Sequence, residues 1–323
     1  MKVLSWFQKR LIIAVPLFMV GGLLFGYGVD KKVVNFDIQL LKNLVMPATF
    51  LMIYPMMINF QPQKLLHKGG NKALFLSILL NFGVVPFLAF GVGKIFFAHE
   101  PIMAAGLLLA SLLPTSGMTL SWTGFAKGNM QAAVKMTIVG LIAGSLLTPI
   151  YLTVLIGKTV NMDVMEIVKT IIFTIFVPMI LGVVTRLLII KIQSEDRYTK
   201  NWVPHFSEFS TLGVLLIVFI AIALKATSLI TNPNILLQIL TPLILLYTIN
   251  YVISTFVGKK FLDRGEGIAL VYGTVMRNLS IALAIAMSSF GPQAALILAL
   301  SYIVQVQSGA WYVKFSDRIF GKV

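Results

Sequence analysis

Two basic side chains sit in apolar surroundings, Lys135 in "QAAVKMTIVG" and Arg277 in "VYGTVMRNLS". A cation near the centre of a membrane helix costs about 2.5 to 3.5 kcal/mol on insertion scales, so such residues usually face the bundle interior and mark a pathway. Arg277 also lies on an interruption of the apolar pattern, and a second interruption occurs at "LLPTSGMTL" around Pro114. Hydroxyls and amides gather near both. Thr115, Ser116, Thr119 and Ser121 follow the first interruption, and Asn278 and Ser280 follow the second. Asn81, Thr137 and Gln305 fall in the neighbouring apolar runs and, with Ser121 and Ser280, form a candidate ion or polar site. Thr115, Ser116, Thr119, Lys135, Arg277 and Asn278 are the candidate substrate-binding residues. Cations, hydroxyls and exposed helix N-termini together suit recognition of an anion.

Other chemistries are excluded by what the sequence withholds. The eleven acidic residues and three histidines fall in loops or at the ends of apolar runs, so no acid–base pair and no Ser–His dyad is expected in the membrane. There is no cysteine, which removes thiol nucleophiles, disulfides and thiolate metal sites. A retinal Schiff base on Lys135 would want a carboxylate counter-ion, and none is expected nearby. No enzyme, metal or organic cofactor is therefore expected. A net charge of +15 would suggest nucleic acid in a soluble protein, but the basic residues lie between apolar runs and no nucleic-acid motif accompanies them.

The elements that position these residues are apolar runs long enough to cross a bilayer core of about 30 Å. With 58% hydrophobic residues, 11% charged residues and a mean hydropathy of +0.92, the composition is that of an integral membrane protein. Ten runs are expected, near 11–28, 40–60, 73–97, 102–124, 130–156, 165–190, 208–230, 235–257, 266–289 and 293–315. The first is read as a span, because no small-residue cleavage site follows it. With ten spans, 17 of the 26 Lys and Arg residues fall on one side and 7 on the other. Both termini are therefore expected on the cytoplasmic side of the cell membrane.

Ten spans divide into residues 1–157 and 158–323, and five crossings invert the second half relative to the first. "AVPLFMVGG" in span 1 is echoed by "FVPMILGVV" in span 6. The positional match is stronger, since the fourth span of each half is the interrupted one, and matched interruptions point to a transporter's binding site. The expected fold is all-α, with ten transmembrane helices in two inverted five-helix repeats and broken helices 4 and 9 crossing. Spans 3–5 and 8–10 form a core, spans 1, 2, 6 and 7 form a panel, and glycine-rich span 1 supplies part of a moving seam.

This pattern resembles the bile acid/sodium symporter superfamily, which includes arsenite-efflux permeases. The similarity is carried by "LPTSGMTLSWTGFAKGNMQAAVKMT", "LNFGVVP" and "VMRNLSIALAIA", with "GVVTRLLIIK", "STLGVLLIVF" and Trp122 closer to the arsenite branch. The resemblance implies a sodium-coupled carrier, yet the ligand positions it identifies are altered. A sodium-binding Ser–Asn pair falls on Thr119 and Leu120, and span 5 hydroxyl ligands fall on Ala133 and Thr137. A Glu falls on Gly273, a Gln on Arg277, and a span 3 Gln on Asn81. For the arsenite branch, the Cys falls on Thr115 and a Glu on Ser280.

The expectation is a secondary carrier of a small organic anion working by alternating access, with Lys135 and Arg277 replacing bound sodium as fixed positive charge. A desolvated lysine can give up its proton, so Lys135 could also couple transport to protons. Sodium-coupled symport through a rearranged site, metalloid efflux and a non-transporting membrane sensor are the alternatives. The expected partners are the anion and the lipid bilayer.

Overall fold

A computed structural model describes residues 2–34, 36–66, 69–160 and 163–321. Eight helices among these residues are long and apolar enough to cross a membrane. In chain order the helices are α1 (Leu11–Asp30), α2 (Ile38–Ile58), α3 (Asn71–Phe96), α4 (Pro101–Leu112), α5 (Gly117–Phe125), α6 (Met130–Ile156), α7 (Val164–Gln193) and α8 (Glu195–Ala223). They continue with α9 (Asn234–Phe261), α10 (Arg264–Val275), α11 (Leu279–Phe290) and α12 (Pro292–Phe320). A short helix, Lys2–Lys9, precedes α1.

Helix starts follow local chemistry. Asp37, Asn129, Asp163 and Asp263 cap α2, α6, α7 and α10, their side-chain oxygens accepting backbone N–H groups of the first turn. Pro101 and Pro292 open α4 and α12, where a missing N–H is harmless. Large apolar side chains such as Leu24, Phe75, Ile95, Val154 and Phe173 remain exposed along the long helices. In a membrane-spanning chain these faces meet lipid.

Two expected spans are not continuous. The fourth is α4 and α5, parted at Leu113–Ser116; the ninth is α10 and α11, parted at Met276–Asn278. The seventh differs in register: α8 runs Glu195–Ala223 rather than 208–230, and Ala226–Thr231 is a separate short helix. Glu195 and Asp196 favour a helix start there, since acidic groups complement the positive N-terminal end. The shift carries Glu208 more than three turns into α8, where it is buried with His205 at 3.6 Å. Arg186 is likewise buried within α7, paired with Glu195 at 2.8 Å and stacked over Tyr198. The polar run after Gln193 resumes as helix at Glu195 instead of forming a loop, which places Glu208 inside α8.

The residues group into two compact units. The first holds Met1–Gln61, Asp163–Leu236 and Leu283–Ala299. Its α8 packs on α1 and α2 through glycines: a Cβ on Gly22 would lie 2.6 Å from the Phe219 carbonyl oxygen, and one on Gly213 would lie 2.4 Å from Met52 N. Gly22 and Gly26 of α1 are thus buried against α8 of the same unit.

The second unit holds Pro62–Met162, Leu237–Ala282 and Leu300–Val323. In α3 one wide turn, Leu79–Val84, precedes Pro86. Pro86 cannot donate to the carbonyl four residues back, that of Phe82, and the Tyr151 hydroxyl of α6 donates to it instead. A similar wide turn, Ile172–Phe176, precedes Pro178 in α7.

Candidate functional site

The two breaks meet inside the second unit. Pro114 and Arg277 form an isolated antiparallel bridge, and Asn278 N–H donates to the Leu113 carbonyl at 2.8 Å. Helix α6 allows the approach with Gly140 and Gly144, four residues apart. A Cβ on Gly140 would lie 2.7 Å from Thr115 Oγ1, and one on Gly144 would lie 2.9 Å from the Leu112 carbonyl oxygen. Small residues at this spacing let helix backbones pack closely in membranes.

The first break is held by its own hydroxyls. Thr115 has φ +64°, a left-handed conformation that a β-branched residue adopts only under constraint. Its hydroxyl donates to the Pro114 carbonyl at 2.6 Å, with the Thr137 and Met136 carbonyls at 3.3 and 3.4 Å. Ser116 caps α5: its Oγ accepts from Met118 N–H at 3.2 Å, while Thr119 Oγ1 accepts from Ser116 N–H at 3.0 Å. The Thr119 hydroxyl also reaches the Tyr272 carbonyl on α10, at 3.4 Å.

Arg277 is the centre of the second break and is only 3% exposed. Its Nη1 donates to Asn81 Oδ1 at 2.8 Å and to the Ser111 carbonyl at 3.1 Å, while Nη2 is buried without a hydrogen-bond partner. Arg186–Glu195, His205–Glu208 and Arg264–Asp317 are ion pairs, whereas Arg277 has no carboxylate in ion-pair range among the described residues. Its backbone is gripped by one side chain: Arg277 N–H donates to Gln305 Oε1 at 2.7 Å, and Gln305 Nε2 donates to the Arg277 carbonyl at 3.2 Å. Tyr247 adds a hydroxyl on Gln305 Oε1 at 2.9 Å.

Arg277, Asn81, Asn278, Gln305, Thr115, Ser116 and Thr119 therefore come together at the crossing, mostly in the service of the interrupted backbones. The others do not join it. The Lys135 ammonium is buried and donates to Asn71 Oδ1 at 2.8 Å, at the first turn of α3. Asn71 and Asn81 are ten residues apart on that helix, which separates the Lys135 and Arg277 head groups by about 15 Å along its axis. Thr137 and Ser121 hydrogen-bond carbonyls of their own helices, those of Ala133 and Gly117. Ser280 pairs with the Tyr302 hydroxyl at 2.8 Å.

Sequence reasoning overlooked Ser111, Tyr247 and Asn250, whose side chain donates to the Thr274 carbonyl at 2.9 Å. A signal existed in "YTINYVIST", where Tyr247, Asn250, Tyr251, Ser254 and Thr255 repeat at helical spacing and line one face of α9.

The donor set does not fit a sodium ion. Two oxygens at positions that the resemblance assigns to sodium ligands are already engaged: Asn81 Oδ1 accepts from the guanidinium, and the Gly273 carbonyl accepts from Asn81 Nδ2 at 3.0 Å. A fixed positive charge among those oxygens repels a second cation.

The sequence profile of the Sodium Bile acid symporter family matches residues 46–232. The chain belongs to this family. Similar proteins include the arsenical-resistance protein Acr3 of Corynebacterium glutamicum, 22% identical over 311 residues that cover 92% of this chain and 84% of that protein. The uncharacterized protein YbaS of Bacillus subtilis is 26% identical over 235 residues, covering 72% and 74%. The probable sodium/metabolite cotransporter BASS1, chloroplastic, of Arabidopsis thaliana is 28% identical over 111 residues, covering 34% and 27%. Family membership and the long apolar helices make this a multi-pass membrane protein of a transporter family that handles small solutes, with no enzymatic members implied. The match contains the first break and ends before the second.

Proposed function

We propose that this protein is a secondary active transporter that moves a small organic anion by alternating access, with a built-in cation in place of bound sodium. Arg277 carries the proposal: its guanidinium is buried, holds two neutral oxygens and, among the described residues, leaves Nη2 unpartnered and has no carboxylate in ion-pair range. An uncompensated charge in a low-dielectric site attracts an anion strongly. The N-terminus of α5 adds partial positive charge, and its Ser116 and Gly117 are the accessible part of the first break. Thr115, Thr119 and Asn278 shape that rim, while Lys135 contributes a second, more distant positive charge. Halves 1–157 and 158–323 act as inverted repeats in the cell membrane, with both termini cytoplasmic and the core moving against the panel.

A second reading, metalloid export, is favoured by the name of the arsenical-resistance relative, which aligns with 92% of this chain. The absence of any cysteine weighs against it, because soft thiolate capture is then impossible.

Counterflow exchange in proteoliposomes tests both readings, using radiolabelled small carboxylates and arsenite, with sodium and pH gradients varied separately. The expected result is carboxylate exchange without sodium, lost in Arg277→Gln. Sodium-driven uptake in the wild type overturns the proposal, and arsenite exchange without carboxylate exchange selects the second reading.

A further inference from the structure

The second break takes away hydrogen bonds that an unbroken helix would make, and amide side chains from three other helices replace them. In a continuous helix the Gly273 carbonyl would accept from Arg277 N–H and the Thr274 carbonyl from Asn278 N–H. Here Arg277 N–H goes to Gln305 Oε1 and Asn278 N–H goes to the Leu113 carbonyl. The two freed carbonyls are taken by Asn81 Nδ2, at 3.0 Å on Gly273, and by Asn250 Nδ2, at 2.9 Å on Thr274. A buried carbonyl left without a partner would be costly, so each amide defines where the broken strand lies.

Asn250 and Tyr247 are both buried and lie three residues apart on one face of α9. Asn250 fixes the carbonyl that precedes the break, while Tyr247 fixes the Gln305 amide that grips Arg277 on both its backbone groups. We infer that Asn250 and Tyr247 are positioning residues of the transport site: they hold the second break in the one geometry that delivers the Arg277 guanidinium to Asn81 and Ser111. The same face continues towards the C-terminal end of α9 with Thr255, whose hydroxyl pairs with the Tyr312 hydroxyl at 2.5 Å. Thr255 joins α9 to α12 through this hydrogen bond and not through a backbone group of the break, so it separates positioning from ordinary helix packing.

The test is hydrogen-exchange mass spectrometry of the full chain in nanodiscs, comparing Asn250→Leu, Tyr247→Phe and Thr255→Val. Loss of one buried hydrogen bond predicts that amides of residues 275–281 exchange about tenfold faster in Asn250→Leu. A smaller acceleration confined to the same peptide is expected in Tyr247→Phe, and none there in Thr255→Val. If Asn250→Leu does not fold, Tyr247→Phe decides alone. Unchanged exchange at 275–281, or acceleration spread equally over α9 and α12 in all three variants, overturns the assignment.

A transport arm rests on the anion-carrier proposal. A break held less firmly presents the Arg277 guanidinium less accurately, so KM should rise in Asn250→Leu and Tyr247→Phe and stay at the wild-type value in Thr255→Val. A raised Vmax or an unchanged KM beside faster exchange contradicts a positioning role. If the wild type moves no anion, the carrier proposal fails while the exchange measurement still decides the role of Asn250 and Tyr247.

Discussion

Replacing Arg277 by glutamine separates charge from hydrogen bonding at the crossing. The guanidinium donates to Asn81 Oδ1 at 2.8 Å and to the Ser111 carbonyl at 3.1 Å. Bonds from a charged donor are worth about 1.5 to 3 kcal/mol each, so losing both costs about 3 to 6 kcal/mol. Against this, a buried cation without a counter-charge carries a desolvation penalty of several kcal/mol even after relaxation. Glutamine removes that penalty and keeps an amide donor for one of the two oxygens. The opposing effects nearly cancel, and stability should change by no more than about 2 kcal/mol. Binding should respond far more. An anion about 5 Å from the guanidinium gains about 3 kcal/mol at an effective dielectric of 20, which is more than a hundredfold in affinity. Thermal unfolding followed by size-exclusion chromatography, run beside counterflow exchange, reads both quantities. The expected variant is folded, with a melting midpoint close to wild type, and loses exchange. A variant that melts much lower yet exchanges the anion within about threefold of wild type would show that Arg277 is only a tie between broken helices. Arg277→Lys keeps the charge and should retain sodium-independent exchange at a reduced rate.

Other perturbations follow from the same geometry. Lys135→Ala should reduce apparent anion affinity only a few-fold, about 1 kcal/mol, because its ammonium is bound to Asn71 far from the crossing; a total loss of exchange would return Lys135 to the binding site. Gly144→Val places a Cβ 2.9 Å from the Leu112 carbonyl oxygen and 3.0 Å from Pro114 Cδ. Overpacking of this kind costs about 1 to 3 kcal/mol, so the melting midpoint should fall, and an unchanged midpoint would refute the close approach of α6 to the first break. Tyr151→Phe leaves the Phe82 carbonyl without its donor while keeping the ring against Phe87. A destabilisation of about 1 to 3 kcal/mol is expected in thermal unfolding, and a neutral effect would mean that the wide turn in α3 needs no partner.

Much of the fold was legible in one dimension because lipid imposes a simple requirement. Every backbone polar group must be satisfied within the protein, so spans are long apolar helices and departures from that pattern stand out. The breaks at Pro114 and Arg277 were visible for this reason, as was the unusual presence of Arg277 itself. The register of α8 was not, because "SEDRYTKNWVPHFSE" reads as a polar loop until Tyr198 and Glu208 are seen buried.

Composition, apolar period and the two interruptions determined by themselves that this is a polytopic helical membrane protein with a polar centre lacking acids and thiols. What each polar residue does was decided only by tertiary structure. Lys135 and Arg277 are both cations in apolar surroundings, yet one side chain ends on Asn71 and the other on Asn81 and Ser111. Thr115, Thr119, Asn278 and Gln305 read as ligands, but their atoms are largely consumed by orphaned backbone groups. The physical reason is that a broken helix creates its unsatisfied donors and acceptors locally, while the side chains that satisfy them come from helices distant in the chain. Asn250, 24 residues before the Thr274 carbonyl it caps, acquires its role only when α9 and α10 are packed together.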